Sequence, residues 1–180
     1  MQVVQTITEV RRIRRQGAGS WGLVPTMGFL HTGHISLVER ARQEAERLGV
    51  AAATVFVGER PAEEIPAYLA AADVLVSPRS RGKNTPLKIY QYLRSGKPIV
   101  ATNLLTHTQV LDSSVAELTD ATADAFGAGI LRVLRDREHG AALSRAAQAL
   151  ADTRYTYDAY VEKTREAHRP LAGRQASEAA

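Results

Sequence analysis

Val74-Leu-Val-Ser-Pro78, then Thr85-Pro-Leu-Lys-Ile-Tyr-Gln-Tyr-Leu-Arg-Ser-Gly96, then Pro98-Ile-Val-Ala-Thr102 decide the fold class. The outer runs are short, uncharged and rich in β-branched residues, as strands buried on both faces are. Between them Leu87, Tyr90 and Leu93 recur at helical spacing, Pro86 suits a first turn and Gly96 stands just past the end. Strand, helix and strand in this order read as a parallel crossover unit.

The same alternation recurs along the rest of the chain. Helices are expected over residues 6–16, 33–48, 61–72, 86–95, 122–135, 138–152 and 156–168, and strands over 21–24, 51–57, 74–77, 98–102 and 115–118. Pro66 predicts a kink or a late start in the third helix. The sum is an α/β protein: a three-layer, doubly wound, Rossmann-like sheet of five parallel strands. Right-handed crossovers give the flavodoxin-like order 2-1-3-4-5, with 51–57 beside 21–24. No polar, Pro/Gly-rich linker divides the chain, so residues 1–168 are expected as one domain and the aperiodic 169–180 as a disordered tail.

The 180 residues carry 23 Lys and Arg against 19 Asp and Glu, a net charge of +4, and no Cys. Zero Cys excludes a disulfide framework, thiolate metal sites and a Cys nucleophile, and suits a soluble cytoplasmic protein. No apolar run approaches the ~20 residues of a membrane span, so no membrane partner is expected. Arg11, Arg12, Arg14 and Arg15 surround a helix whose apolar face is Ile7, Val10 and Ile13; without interleaved aromatics they read as a solvated face, not a nucleic-acid surface. Asp73, Asp112, Asp120 and Asp124 lack metal-ligand spacing, and His107, His139 and His168 lie far apart and read as loop or surface residues. No metal or cofactor is expected.

Two longer signatures carry chemistry. Gly22-Leu-Val-Pro-Thr-Met-Gly-Phe-Leu-His-Thr-Gly-His-Ile-Ser-Leu-Val-Glu-Arg-Ala-Arg42 is a strand, a turn and a helix opened by His31-Thr-Gly-His34. Free N–H groups and two imidazoles at a helix start suit a phosphate chain. The stretch resembles the opening of pantothenate synthetase, an adenylate-forming ligase, over about residues 1–57. That resemblance implies a phosphate cradle at His31, Gly33 and His34, with Pro25, Thr26 and Met27 lining the ATP and pantoate sites. Thr32 stands where the family has Glu. The family's pantoate-holding glutamine gives way to Gly58-Glu-Arg-Pro61, and no Lys-Met-Ser-Lys-like segment follows, so pantothenate formation is not expected.

The second signature is Pro61-Ala-Glu-Glu-Ile-Pro-Ala-Tyr-Leu-Ala-Ala-Ala-Asp-Val-Leu-Val-Ser-Pro78 with Gly82 to Thr102. It resembles the C-terminal, nucleotide-sugar half of a family 4 glycosyltransferase over about residues 58–168. The resemblance implies that Lys83, Asn84, Thr85 and Lys88 face a diphosphate and that Gln91 hydrogen-bonds a ribose. The family's two glutamates fall at Lys83 and Gln91, neither of them acidic. The packing alternative makes Thr85 the helix N-cap and Leu87, Tyr90 and Leu93 core. The acceptor domain and early donor-domain strands of the two-domain enzymes are expected to be absent.

The two resemblances meet at residue 57 inside a strand. The expectation is therefore an engineered chimera of two Rossmann-like fragments sharing that strand, without natural catalytic activity and not an enzyme. Two other readings stay open: a residual nucleotide- or phosphate-binding module at the His31–His34 helix start, and a nucleotidyl- or glycosyl-transferase. The turns at 25–34 and 77–85 are expected to open on one sheet edge, with Arg79, Arg81 and Lys83 nearby, and to collect nucleotide or phosphate weakly. Oligomeric state is not specified.

Overall fold

The computed structural model describes residues 2–4, 6–17, 19, 21–23 and 32–178, with the backbone alone described for 2–3, 22–23, 32–37 and 170–178. The elements are β1 (Gln2–Val3), α1 (Ile7–Gln16), β2 (Gly22–Leu23), α2 (Thr32–Arg47), β3 (Val55–Phe56), α3 (Ile65–Ala71), β4 (Val74–Ser77), α4 (Lys88–Arg94), β5 (Ile99–Thr102), α5 (Leu105–Thr108), β6 (Glu117–Thr119), α6 (Ala123–Arg135), α7 (Arg137–Arg154) and α8 (Tyr157–Glu178). The α/β, parallel-sheet expectation holds. Helix α8 continues past Arg169 into the stretch without apolar periodicity.

Strands β2, β4, β5 and β6 form a parallel sheet in that order. These are the strands expected as 1-3-4-5. The expected partner of β2, residues 51–57, is placed differently: Ala51–Ala53 form a 3-10 turn, and β3 pairs in parallel with β1, Gln2 opposite Val55 and Val3 opposite Phe56. The buried Val4 extends this pairing through its N–H to the Phe56 carbonyl at 3.3 Å. A two-residue strand is too short for periodicity to reveal, so β1 is absent from the sequence reading.

Alternation along the sheet explains the two cores. Leu75, Ile99 and Ala101 point to one face, where Ile89, Tyr92 and Leu93 of α4 and Ala147 and Ala151 of α7 cover them. Val74, Val76 and Val100 point to the other, against Val133 of α6 and Leu143 of α7, with Phe126 and Ile130 alongside. A third cluster joins Val4 and Val10 to Tyr68 of α3 and so packs the two resembled segments together.

Helix α1 starts in a capping box, Glu9 N–H donating to Thr6 Oγ1 and Thr6 N–H to Glu9 Oε2. Arg11, Arg12 and Arg15 are exposed, but Arg14 is half-buried and paired with Asp73, which corrects its place on a solvated face. Helix α3 begins late, after a 3-10 turn at Ala62–Glu64, with Pro66 in its first turn. Helix α4 begins at Lys88 without a side-chain cap, so Thr85 does not cap it as the packing alternative expected; the Pro86 carbonyl accepts Ile89 N–H in the turn before it. Gly96, at φ 69°, ends the α4 turn in the left-handed conformation that the sequence anticipates.

Candidate functional site

Because β2, β4, β5 and β6 are parallel, their carboxyl ends share one edge. There, between the segment after β4, the end of β5 and the start of α6, lies a cleft of about 400 Å³ lined by Arg79, Ser80, Thr102, Thr122, Phe126 and Ile130 among others. Thr122 caps α6 by accepting Ala125 N–H at 3.3 Å, which sets that helix start against the cleft.

The wall after β4 is tied down by a small polar network. Arg79 Nη1 donates to the Asn84 carbonyl at 3.0 Å and to Thr106 Oγ1 at 2.8 Å, and Thr106 donates in turn to the same carbonyl at 2.6 Å. Gln109 Nε2 donates to the Lys83 carbonyl. Gly82 adopts φ 136°, and a Cβ there would stand 3.1 Å from Arg79 Nη1, so glycine lets the turn close on the guanidinium.

Beneath this turn His107 is fully buried. Its Nδ1 lies 2.8 Å from the Thr102 carbonyl, which can only accept; Nδ1 therefore carries the proton and Nε2 accepts from Ser77 Oγ at 2.9 Å. Burial pushes the imidazole below its usual 6.5; the Thr102 carbonyl opposes this, and the charges of Arg79 and Lys88 reinforce it. The ring is neutral at pH 7. Lys88, in the first turn of α4, has its amine lowered by burial from 10.5 to about 8, with the Arg79 charge adding to the shift. Its Nζ sits 5.7 Å from the centroid of Tyr92, whose hydroxyl donates to the Val76 carbonyl. Two cations thus share a partly desolvated corner of the edge, a potential that attracts anions.

Of the residues expected to bind, Lys83 and Asn84 lie in the exposed turn held by Gln109 and Arg79, Thr85 and Lys88 are half-buried, and Gln91 is exposed one turn further along α4. Gly33 and His34 fall in the first turn of α2 by its backbone. Pro25, Thr26, Met27 and His31 lie outside the described residues. Sequence reading missed Thr106 and overlooked His107 as a surface residue. The available signal was position: both follow the carboxyl end of a buried parallel strand, the edge where sites gather. His139, also expected at the surface without a partner, meets Glu117 Oε2 at 3.2 Å, and Arg132 meets Oε1 of the same carboxylate. Among the described residues no group of three or more His, Cys, Asp or Glu could hold a metal, and no helix is long and apolar enough to cross a membrane.

Pantothenate synthetases of Aliarcobacter butzleri and Herpetosiphon aurantiacus are 45% and 52% identical to this chain over 71 residues, 38% of it. The chain spans about a quarter of their length, 25% and 24% respectively. Among solved structures, Anabaena HepE in complex with UDP is similar with a TM-score of 0.68 at 21% identity, over 79% of this chain and 38% of HepE. Sucrose-phosphate synthase from Thermosynechococcus elongatus gives 0.70 at 20% identity, over 93% of this chain and 42% of its own. At these identities the likeness is one of fold.

The family Glycosyl transferases group 1 matches residues 21–150. That match crosses the junction at residue 57 and takes in β2 and α2 as well as the cleft. It overturns the expectation of an engineered protein without catalytic activity that is not an enzyme, because the chain carries the match of an enzyme family; the two-part resemblance itself holds, since pantothenate synthetases match 38% of the chain as well. Although 38% of it also matches pantothenate synthetases, the chain belongs to the glycosyl transferases group 1 family.

Proposed function

We propose that this chain is the donor-binding half of a glycosyltransferase, holding the diphosphate of a nucleoside-diphosphate sugar at the carboxyl edge of β4, β5 and β6. The observation that carries the reading is Arg79, which lines the cleft while its guanidinium is fixed by Asn84 and Thr106. Lys88 supplies a second cation beside it. HepE, a neighbour in fold, is a UDP complex, which supports a uridine nucleotide as the first donor to try. As the bond from sugar to diphosphate breaks and the acceptor oxygen bonds to the sugar, negative charge grows on the departing nucleotide. Cations already fixed in a partly desolvated corner stabilise that charge more than they stabilise the ground state. Gln91 in place of a carboxylate supports a neutral hydrogen bond to a ribose hydroxyl.

Calorimetric titration with UDP, UDP-glucose and ADP-glucose tests the reading. Binding should weaken as salt rises, and Arg79→Gln should weaken it about tenfold. No saturable heat from any of the three at millimolar concentration would dismiss donor binding. Glycosyl transfer, the family's activity, is then followed as UDP released from UDP-glucose in the presence of candidate acceptors.

A second reading rests on the 52% identity to a pantothenate synthetase over 71 residues. The segment that includes Pro25, Thr26, Met27, His31, Gly33 and His34 would hold the phosphates of ATP. ATP binding that UDP does not displace would favour it.

A further inference from the structure

We propose that Thr106, held in register by His107, is the positioning residue that fixes the Arg79 guanidinium at the cleft and so sets its grip on a donor diphosphate. The inference rests on the donor-binding reading. Thr106 is fully buried, and its one hydroxyl is used entirely on the turn after β4, accepting from Arg79 Nη1 and donating to the Asn84 carbonyl. Arg79 therefore reaches the cleft from a side chain already immobilised on one edge of its fork. A long cation that must be ordered on binding loses affinity to lost rotamer freedom, and one ordered beforehand does not.

Thr106 can do this only if α5 is itself fixed. That helix spans four residues and lacks a side-chain cap, so its own hydrogen bonds cannot hold it. The neighbouring imidazole supplies the anchor: His107 bridges the Ser77 hydroxyl at the end of β4 and the Thr102 carbonyl at the end of β5. The line of contacts runs from two rigid strand ends through His107 and Thr106 to Arg79. Charge on Arg79 gives attraction, and this line gives it a place.

The test uses the intact chain with UDP as probe. It compares wild type, Thr106→Val, which removes the hydroxyl at similar shape, and Thr106→Ser, which restores it. Calorimetry reads affinity, amide hydrogen exchange reads residues 80–84, and a urea midpoint reads folding. Thr106→Val should weaken UDP about tenfold and speed exchange at 80–84, while Thr106→Ser stays within about threefold of wild type. Equal affinity in wild type and a folded Thr106→Val overturns the inference and leaves donor binding standing. If wild type binds no UDP, the donor reading falls; the exchange rates then decide, since unchanged exchange in Thr106→Val overturns the positioning role and faster exchange reversed in Thr106→Ser upholds it. Should Thr106→Val fail to fold, Arg79→Lys decides: it keeps the charge without the fork that Thr106 holds, so a loss of at least about fivefold supports the inference and unchanged affinity overturns it.

Discussion

Nη2 of Arg14 lies 2.9 Å from Oδ1 and 2.8 Å from Oδ2 of Asp73, 59 positions away in the chain. The same carboxylate accepts Trp21 N–H at 2.8 Å, and Arg14 Nη1 donates to the Gly19 carbonyl at 3.1 Å. One side chain thus ties α1 and the entry to β2 onto the start of β4, across the junction of the two resembled segments. The ion pair is about a third exposed, with side chains at 32% and 34%, so water screens it and the backbone hydrogen bond carries more of the coupling. Asp73→Asn, which keeps an acceptor for Trp21, should cost about 1 kcal/mol, and Asp73→Ala about 2–3 kcal/mol. Chemical denaturation measures both; equal losses would mean that the ion pair dominates.

Two glycines on α6 should respond in opposite directions to alanine. A Cβ at Gly129 would overlap Thr119 Cγ2 on β6 and come within 3.4 Å of Glu117 Cγ, so the helix sits this close to the sheet only because that position is bare. Gly129→Ala should destabilise by about 1–3 kcal/mol through overpacking, in spite of the better helix former. At Gly127 a Cβ would meet nothing within 4 Å, and Gly127→Ala should stabilise by about 0.5–1 kcal/mol. Thermal melts of the two variants side by side are the check.

His107 should make stability depend on acid. Its folded pKa is held below 6.5 by burial, so between 6.5 and that lower value the unfolded chain binds more protons than the folded one. The contribution is present in full above pH 6.5 and is lost as pH falls through that window. The urea midpoint should therefore drop between pH 7.5 and 5.5, and His107→Gln, though less stable throughout, should show a flatter profile. Parallel profiles for the two proteins would assign the acid sensitivity elsewhere.

Lys88 should make anion binding depend on alkali. With its amine at about 8 in the free protein, the charge is present at pH 7 and mostly gone at pH 9. UDP affinity should fall across that interval, and binding near pH 8 should take up protons, seen as heats that differ between buffers of different ionisation enthalpy. Lys88→Met should bind more weakly at pH 7 and lose the dependence. Stability moves the other way: a lowered lysine pKa costs the folded state below about 8, and the cost fades as pH rises toward 10.5.

The sequence by itself determined the rhythm of strand and helix, the burial of 74–77 and 98–102 on both faces, the stop at Gly96 and the parallel edge at which loops after the strands converge. Each of these is local, because a residue's spacing and backbone preference report its own element whatever lies across from it. Tertiary structure alone decided that Val55–Phe56 pairs with Gln2–Val3, that Asp73 takes Arg14 out of an otherwise solvated face, and that His107 is a neutral bridge and not a surface residue. Arg79 belongs with these: its sequence context supplies a charge near the edge, but its hold on Thr106 exists only once the crossover after β5 brings α5 beneath the turn after β4. Such partners are chosen through space by hydrogen bonds of about 1 kcal/mol each, and no apolar pattern along the chain records which of them will meet.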